Sequence, residues 1–176
     1  MKNYTIELTG RGAECYVFPL TDEQIVKLKI GGVVDEQMDI EDVCQVLGVE
    51  SIQDSDSIYT GLYDDSDLYS LRILNEYNEL VEDLTDNWNY EMLDGEDYIE
   101  NHYDEKNLIV EDTCKGHFFN FALDIEEDFD SSKLSPIITE IGECVTLITG
   151  LRYGDQVLSV NEYGDYWSKG FYFYLT

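Results

Sequence analysis

Few residues in this chain have the types and spacing that catalysis or metal binding requires. The 176 residues include only two histidines, His102 and His117, and they lack the nucleophile-elbow, zinc-protease and phosphate-loop motifs. Cys114 and His117 have the separation of half a zinc site, with Cys15 or Cys144 as further thiolates, but no second pair of matching spacing follows. We therefore expect neither a zinc site nor an enzyme activity.

Two segments partly match the sequence motif of a cofactor-binding loop, but neither match is complete. Residues 128–132 begin like a calcium-binding EF-hand loop, but Lys133 stands where glycine is needed and Glu140 comes one position late. Gly10 and Gly12 follow a predicted strand, as in a dinucleotide loop, but the third glycine and the following helix are missing. The sequence therefore predicts no cofactor and no specific metal site, and leaves weak divalent binding by the acids open.

The dominant chemical feature is an excess of carboxylates. The chain has 39 Asp and Glu against 10 Lys and Arg, which gives a formal net charge of -29. Residues 30–105 hold 23 of these acids and a single base, Arg72. Nucleic acids and anionic membranes attract the opposite sign of charge, so direct binding to either is excluded. A small domain stays soluble with a net charge of magnitude about 2–8, so this excess indicates a further role.

The acids must be positioned by folded structure, because apolar residues interleave with them throughout. Alternation predicts strands at 4–9 and 14–18, joined by a turn at 10–12 into an N-terminal hairpin. The capping-box spacing of Thr21 and Gln24 predicts a helix that ends at 31–32.

A second helix is expected at 39–48, and residues 133–141 suggest a third. Further strands are expected at 58–63, 68–74, 79–84, 108–110, 117–123, 144–151, 156–160 and 170–175. These elements predict one acidic α+β domain over residues 1–176, with mainly antiparallel sheet, an N-terminal hairpin and two or three short helices. Residue 105 is the place where it could be subdivided.

The compartment is expected to be a reducing cytosol. No apolar run approaches the roughly eighteen residues of a membrane-spanning helix, and the first residues lack the apolar segment of a secretory signal. The four cysteines are far apart, which predicts buried free thiols: Cys15, Cys44, Cys114 and Cys144.

The start of the chain has a characteristic order of elements. Residues 9–14 (T-G-R-G-A-E) are followed by a strand and by the capped helix start at 20–24. This order resembles uncharacterised proteins of large tailed phages, and residues 115–116 and 128–134 are similar too. The resemblance covers part of the chain and implies no activity or site residue, but it implies a phage origin and so the cytoplasm of a bacterial host cell. In character, though not by motif, the chain is also similar to anti-restriction and anti-CRISPR proteins that mimic DNA.

Charge density favours mimicry of nucleic acid. Duplex DNA carries one charge per about 1.7 Å of axis, so the net charge of -29 matches about 50 Å of duplex. A compact chain of 176 residues has a diameter of about 40 Å. The protein therefore concentrates the charge of a duplex into a similar length. The sequence predicts an acidic inhibitor that occupies the cationic channel of a basic nucleic-acid-binding protein, such as a host defence nuclease or effector complex.

The predicted contact surface consists of acids in turn-like stretches between apolar runs, where side chains should be exposed. They are Asp54, Asp56, Asp64, Asp65, Asp67, Asp94, Glu96, Asp97, Asp104 and Glu105. Flat side chains among the acids could anchor in a groove that accepts bases, although about half should be sheet core; they are Tyr59, Tyr63, Tyr69, Tyr77, Trp88, Tyr90, Tyr98 and Tyr103.

Two other functions fit the sequence as alternatives. An immunity-type protein that neutralises a basic toxin nuclease would have the same electrostatics in a different genome context. A calcium-binding or structural phage component would use the acid-rich loops for metal instead. The sequence leaves the identity of the partner and the oligomeric state open.

Overall fold

The chain folds around a long antiparallel sheet in which the first strand is central. A computed structural model describes residues 1–31, 38–55, 58–63, 68–86, 106–141 and 145–175. Strand β1 (Lys2–Pro19) pairs along its whole length with β5 (Asn107–Ile125). On its other side the first half of β1 pairs with β3 (Leu68–Asn75), which is followed in the sheet by β4 (Leu80–Asp83). The second half of β1 pairs with β2 (Ile58–Tyr63).

Five more strands extend this sheet on both sides, to ten strands in the described part of the chain. β2 pairs with β7 (Val145–Tyr153), and β7 pairs with both β6 (Leu134–Ile141) and β8 (Gln156–Val157). Along the far side of β5 lie β9 (Ser159–Asp165) and β10 (Ser168–Leu175). The sheet curls into a half-barrel.

This architecture corrects the predicted α+β class, because the fold is mostly antiparallel sheet. The described residues contain two α-helices, α1 (Asp22–Gly31) and α2 (Ile40–Leu47), and a 3-10 turn at Ser131–Lys133. Residues 133–141 were expected as a third helix, but 134–141 form β6 instead and Lys133 ends the 3-10 turn. The reason lies in Pro136 and the β-branched residues around it, since proline disfavours a helix interior and β-branched side chains favour a strand.

The predicted N-terminal hairpin is wrong, because β1 continues through Gly10 and Gly12 without reversing. The strand is bulged here, and its register shifts against both β3 and β5. A Cβ atom on Gly12 would lie 2.5 Å from the carbonyl oxygen of Gly61 and 2.7 Å from Cβ of His117. The glycine therefore allows three strands to approach closely. Glycine is typical of bulges as well as of turns, so its presence in the sequence does not distinguish the two.

Most other strand predictions are confirmed, with one fusion. Residues 108–110 and 117–123 were expected as two strands and belong to the single bulged strand β5. The strands expected at 58–63, 68–74, 79–84 and 170–175 match β2, β3, β4 and β10 to within two residues. The strand expected at 144–151 matches the described β7, and the one expected at 156–160 is divided between β8 and β9. Residues 87–105 lie outside the described residues.

The first helix begins where its capping box predicts, and the second matches the expected range 39–48. Gln24 donates its backbone N–H to Thr21 Oγ1 at 3.2 Å, and the Thr21 N–H donates to Gln24 Oε1 at 2.9 Å, so the capping box is confirmed. Asp39 caps α2 by accepting the N–H of Glu41 at 3.1 Å, and Gly48 ends it with a left-handed φ of 71°. In the described part of the chain no helix has the length and apolar content to cross a membrane.

Three apolar clusters fill the fold. The largest joins β1, β3, β5 and β7, and its fully buried side chains include Ile6, Leu8 and Phe121. A second, the helix core, packs α1 and α2 against β1, β5 and β10, with Leu28 and Leu108 fully buried. The third joins β1, β5, β6 and β7. The sheet is thus covered by helices over one part and by its own curled strands over another.

Candidate acidic interaction surface

One of the ten predicted contact acids lies in the described part of the chain. Asp54 is exposed in the turn that follows α2, where the Ser55 N–H donates to the Ile52 carbonyl at 3.0 Å. The other nine lie outside the described residues: Asp56, Asp64, Asp65, Asp67, Asp94, Glu96, Asp97, Asp104 and Glu105. Their role as the contact surface stays a prediction.

Carboxylates elsewhere in the described chain are displayed to solvent. Of the 25 acidic residues described, 19 are exposed, five are half-buried and Glu111 is buried. Ion pairs between partly exposed side chains include Lys2–Asp128, Lys27–Glu23, Arg72–Glu7, Lys106–Asp22 and Lys133–Glu127. Pairs of this kind are worth about 0–1 kcal/mol each. Ten bases cannot neutralise 39 acids, so a strong negative field surrounds the described surface.

One local excess of acids lies on α2 and the turns around it. Residues 38–55 contain no base, and the helix buries Val43, Cys44 and Leu47 against the helix core. An amphipathic helix that buries this face must present its polar positions to solvent. The result is an α2 patch of five exposed carboxylates beside a groove of about 480 Å³: Asp39, Glu41, Asp42, Glu50 and Asp54.

A second group of acids lies between β5 and β6, at 124–130. Phe129 anchors this segment, because its ring lies 5.9 Å from that of Tyr4 and 5.5 Å from that of Tyr153. Asp130 accepts the N–H and hydroxyl of Ser132 at 3.0 and 2.7 Å, and these hydrogen bonds hold the pKa of Asp130 below its ordinary value. The segment compared above with a calcium loop therefore uses this carboxylate to cap the following 3-10 turn.

A third group of carboxylates consists of Glu14 on β1, Asp112 on β5 and Asp165 at the end of β9. Glu14 and Asp112 are directly opposite each other on β1 and β5. Tyr16 donates its hydroxyl to Glu14 at 2.8 Å, and Ser168 donates to Asp112. Burial raises the pKa of Asp112, and the charges of Glu14 and Asp165 raise it further, while the bond from Ser168 acts in the opposite direction. The cluster therefore concentrates negative charge beside the outer edge of the sheet.

Glu111 is the exception to the exposed pattern. It is 5% exposed on β5 and accepts hydroxyl hydrogen bonds from Tyr63 and Tyr174. Burial raises the pKa of this carboxyl, and the bond from Tyr174 and the charge of Arg11 counteract that effect. The guanidinium carbon of Arg11 lies 5.0 Å from the centre of the Tyr63 ring. This arrangement satisfies a buried carboxylate inside the sheet and gives it no open surface for a partner.

The described residues considered for zinc, Cys15, Cys114 and His117, are buried in the sheet. Cys114 and His117 lie in β5, and burial, helped by the charge of Asp165, raises the pKa of the Cys114 thiol to about 11. Zinc binds the thiolate, which such a pKa disfavours. Within the described ranges no group of three or more His, Cys, Asp and Glu is placed to hold a metal ion. Cys15, Cys44 and Cys114 are free and buried, whereas Cys144 and His102 lie outside the described residues.

The aromatic residues proposed as anchors are divided between core and surface. Tyr59 and Tyr63 are half-buried against the third apolar cluster, whereas Tyr77 is exposed in the turn between β3 and β4. Side chains outside the description are those of Tyr69, Trp88, Tyr90, Tyr98 and Tyr103. The sequence prediction missed an exposed aromatic group at Tyr163, Tyr166 and Trp167. Three aromatics within five residues, next to Asp165, are the signal that could have found it.

The chain matches no protein-family model, no curated protein and no solved structure. Its likeness to tailed-phage proteins therefore stays a prediction. Function has to be inferred from the chemistry of the chain itself, and that chemistry is dominated by exposed carboxylates.

Proposed function

We propose that the protein is a phage-encoded acidic inhibitor that mimics nucleic acid. It blocks the cationic nucleic-acid-binding channel of a host defence nuclease or effector complex, in the manner of an anti-CRISPR or anti-restriction protein. It acts in the cytoplasm of a bacterial host cell and performs no catalysis of its own. The observation that carries the proposal is a net charge of -29 on a folded sheet, with 19 of the 25 described acids exposed.

The mechanism replaces phosphates with carboxylates. Arg and Lys side chains that line a nucleic-acid channel pair with carboxylates, and the guanidinium of Arg does so through two parallel hydrogen bonds. Each pair releases counterions that both surfaces held, and this release favours association at low salt. The charge also steers the two proteins together, so association should be fast.

The fold supports this mechanism through its rigidity. Glu41 and Asp42 of the α2 patch lie on a helix that is capped at both ends and packed on the helix core, and Asp39 is its N-cap. The acids at 124–130 are anchored by the ring of Phe129. Carboxylates on such elements lose less conformational entropy on binding than those on a disordered tail, which increases affinity.

Affinity capture followed by competition tests the proposal. The purified chain, immobilised at moderate salt, should retain from bacterial lysate a basic nucleic-acid-binding protein that mass spectrometry identifies. That protein is then purified with a fluorescent duplex in its channel, and the free chain is added. Displacement of the duplex supports mimicry. A captured protein that keeps its duplex while the chain is bound would contradict it.

A further inference from the structure

One edge of the sheet is long and open in the described part of the chain. Residues 159–175 run antiparallel along β5, first as β9 beside 117–122 and then as β10 beside 108–114. Among the described residues neither strand has a partner on its outer side. An edge strand of this kind offers unpaired N–H and C=O groups to another polypeptide.

The β9 half of this edge is also apolar and exposed. Val160 and Tyr163 are 44% and 60% exposed, although their neighbours across the strand pair, Phe121 and Phe119, are buried in the largest core. Their side chains therefore stand on the core face of the sheet and extend that apolar face to its rim. Trp167, just beyond β9, is 50% exposed.

Two aromatic side chains on this edge, Tyr166 and Trp167, pack against neighbouring residues. The ring of Tyr166 covers Gly116, where a Cβ atom would lie 1.9 Å from the ring, and packs 6.2 Å from the ring of Phe118. Lys115 Nζ lies 5.8 Å from the centre of the Trp167 ring. Rigid, exposed aromatics are the side chains that contribute most to protein interfaces, because they lose little entropy on binding.

Charge determines which kind of polypeptide this edge can take. Glu162 and Asp165 lie on β9 itself, and the charge of Asp165 acts on Asp112 of the neighbouring strand β5. A second copy of the chain would bring the same acids and a net charge of -29 to the contact, and repulsion would oppose the pairing. A strand with Lys or Arg at alternate positions would meet opposite charge and unpaired backbone together.

We propose that β9 is a docking edge for an extended, basic segment of a protein partner, which adds to the sheet as a further strand. Val160, Tyr163 and Trp167 contact the apolar side chains of that segment, and Glu162, on the opposite face of β9, pairs with its bases. This inference rests on the proposed function, because the partner is the basic protein named there. To the acidic surface of the proposed function it adds a docking edge that recognises the partner by backbone pairing and apolar contact as well as by charge.

A defined peptide tests the docking edge. The probe is an extended peptide of alternating arginine and valine, titrated into the isotope-labelled full-length chain while amide signals are followed by NMR. Signals of residues 157–167 should shift together and saturate, and a peptide of alternating glutamate and valine should leave them unchanged. Shifts confined to the α2 patch or to residues 124–130, or no shifts at all, would overturn the proposal.

Charge-matched variants separate position from net charge. The double variant Val160→Lys, Tyr163→Lys should weaken peptide binding about tenfold or more, because it removes apolar contact and opposes a basic segment. The control Leu80→Lys, Val81→Lys makes the same charge change at two exposed positions of β4, another strand at the edge of the sheet. It should leave affinity within about twofold of the unmodified chain. Equal weakening by both variants would mean that net charge alone matters, and would overturn the proposal.

Two further measurements keep the test decisive. If the β9 variant melts early, Trp167→Ser provides a milder removal of contact and should also weaken peptide binding. A dimer of the unmodified chain that Val160→Lys, Tyr163→Lys dissociates would show that β9 takes a second copy instead of a basic partner. Failure to displace DNA from a captured nuclease contradicts the proposed function, whereas failure of the peptide titration contradicts the docking edge.

Discussion

Gly12→Ala should strongly destabilise the fold, because β1, β2 and β5 leave no room for a side chain at this residue. The added methyl group would lie 2.5 Å from the carbonyl oxygen of Gly61 and 2.7 Å from Cβ of His117. Neither atom can move without shifting a strand. Overpacking costs about 1–3 kcal/mol, and contacts with backbone put this case near 3 kcal/mol. At about 2–4 °C of melting temperature per kcal/mol, the expected loss is about 6–12 °C.

Thermal unfolding followed by circular dichroism measures this loss, with Gly150→Ala as the matched control. Gly150 is also a strand glycine, but an added methyl group there would meet the end of the Ile137 side chain at 3.2 Å. A flexible side-chain end can rotate away, so the control should cost about 1 kcal/mol or less. Equal melting temperatures for Gly12→Ala and the unmodified chain would refute the close approach of the three strands at the bulge.

The remaining predictions concern charge and capping. Glu111→Gln should raise the melting temperature at neutral pH, because burial raises the pKa of the Glu111 carboxyl. The stability that the neutral carboxyl contributes is fully present below about pH 4 and is lost as the pH rises and the group ionises. The melting temperatures of the variant and the unmodified chain should therefore converge in acid. Asp39→Ala removes the cap of α2 and should cost about 1 kcal/mol in urea unfolding, whereas Asp39→Asn should cost little. Reversing four predicted contact acids to lysine should abolish inhibition and leave the melting temperature equal or higher; they are Asp64, Asp65, Asp67 and Asp94. Full inhibition by that variant, folded, would exclude them as the contact surface.

Local signals in the sequence were sufficient for the helices. The capping box of Thr21 and Gln24 and the glycine at 48 act within a few residues, so their meaning does not depend on the rest of the fold. Alternation likewise predicts most strands, because a half-buried strand repeats every two residues wherever it lies in a sheet.

The errors arose where distant residues decide the structure. Gly10 and Gly12 are typical of a turn in sequence. They lie in a bulge instead, where Gly61 and His117 of two other strands pack closely against Gly12. The stretch at 133–141 has apolar positions that suit a helix as well as a strand, and its pairing with β7 decides the outcome. Local pattern is a weak guide where tertiary pairing decides.

The acidic surface was only partly predictable for the same reason. Total charge is a property of composition, so the excess of acids follows from the sequence. Which carboxylate becomes buried depends on neighbours, and the contacts of Glu111 with Tyr63 and Tyr174 join strands that are far apart in the chain. The exposed aromatics of β9 depend in turn on that strand lying at an edge.

The salt dependence of competition tests the central claim most directly. The affinity of the chain for the captured nuclease is measured by displacement of a fluorescent duplex at salt concentrations from about 50 to 200 mM. If carboxylates replace about six to ten phosphates, affinity should fall by a factor of about 10³–10⁵ over this range, in parallel with that of the duplex itself. If the affinity of the chain for the nuclease does not change with salt, that result would contradict nucleic-acid mimicry by the acidic surface.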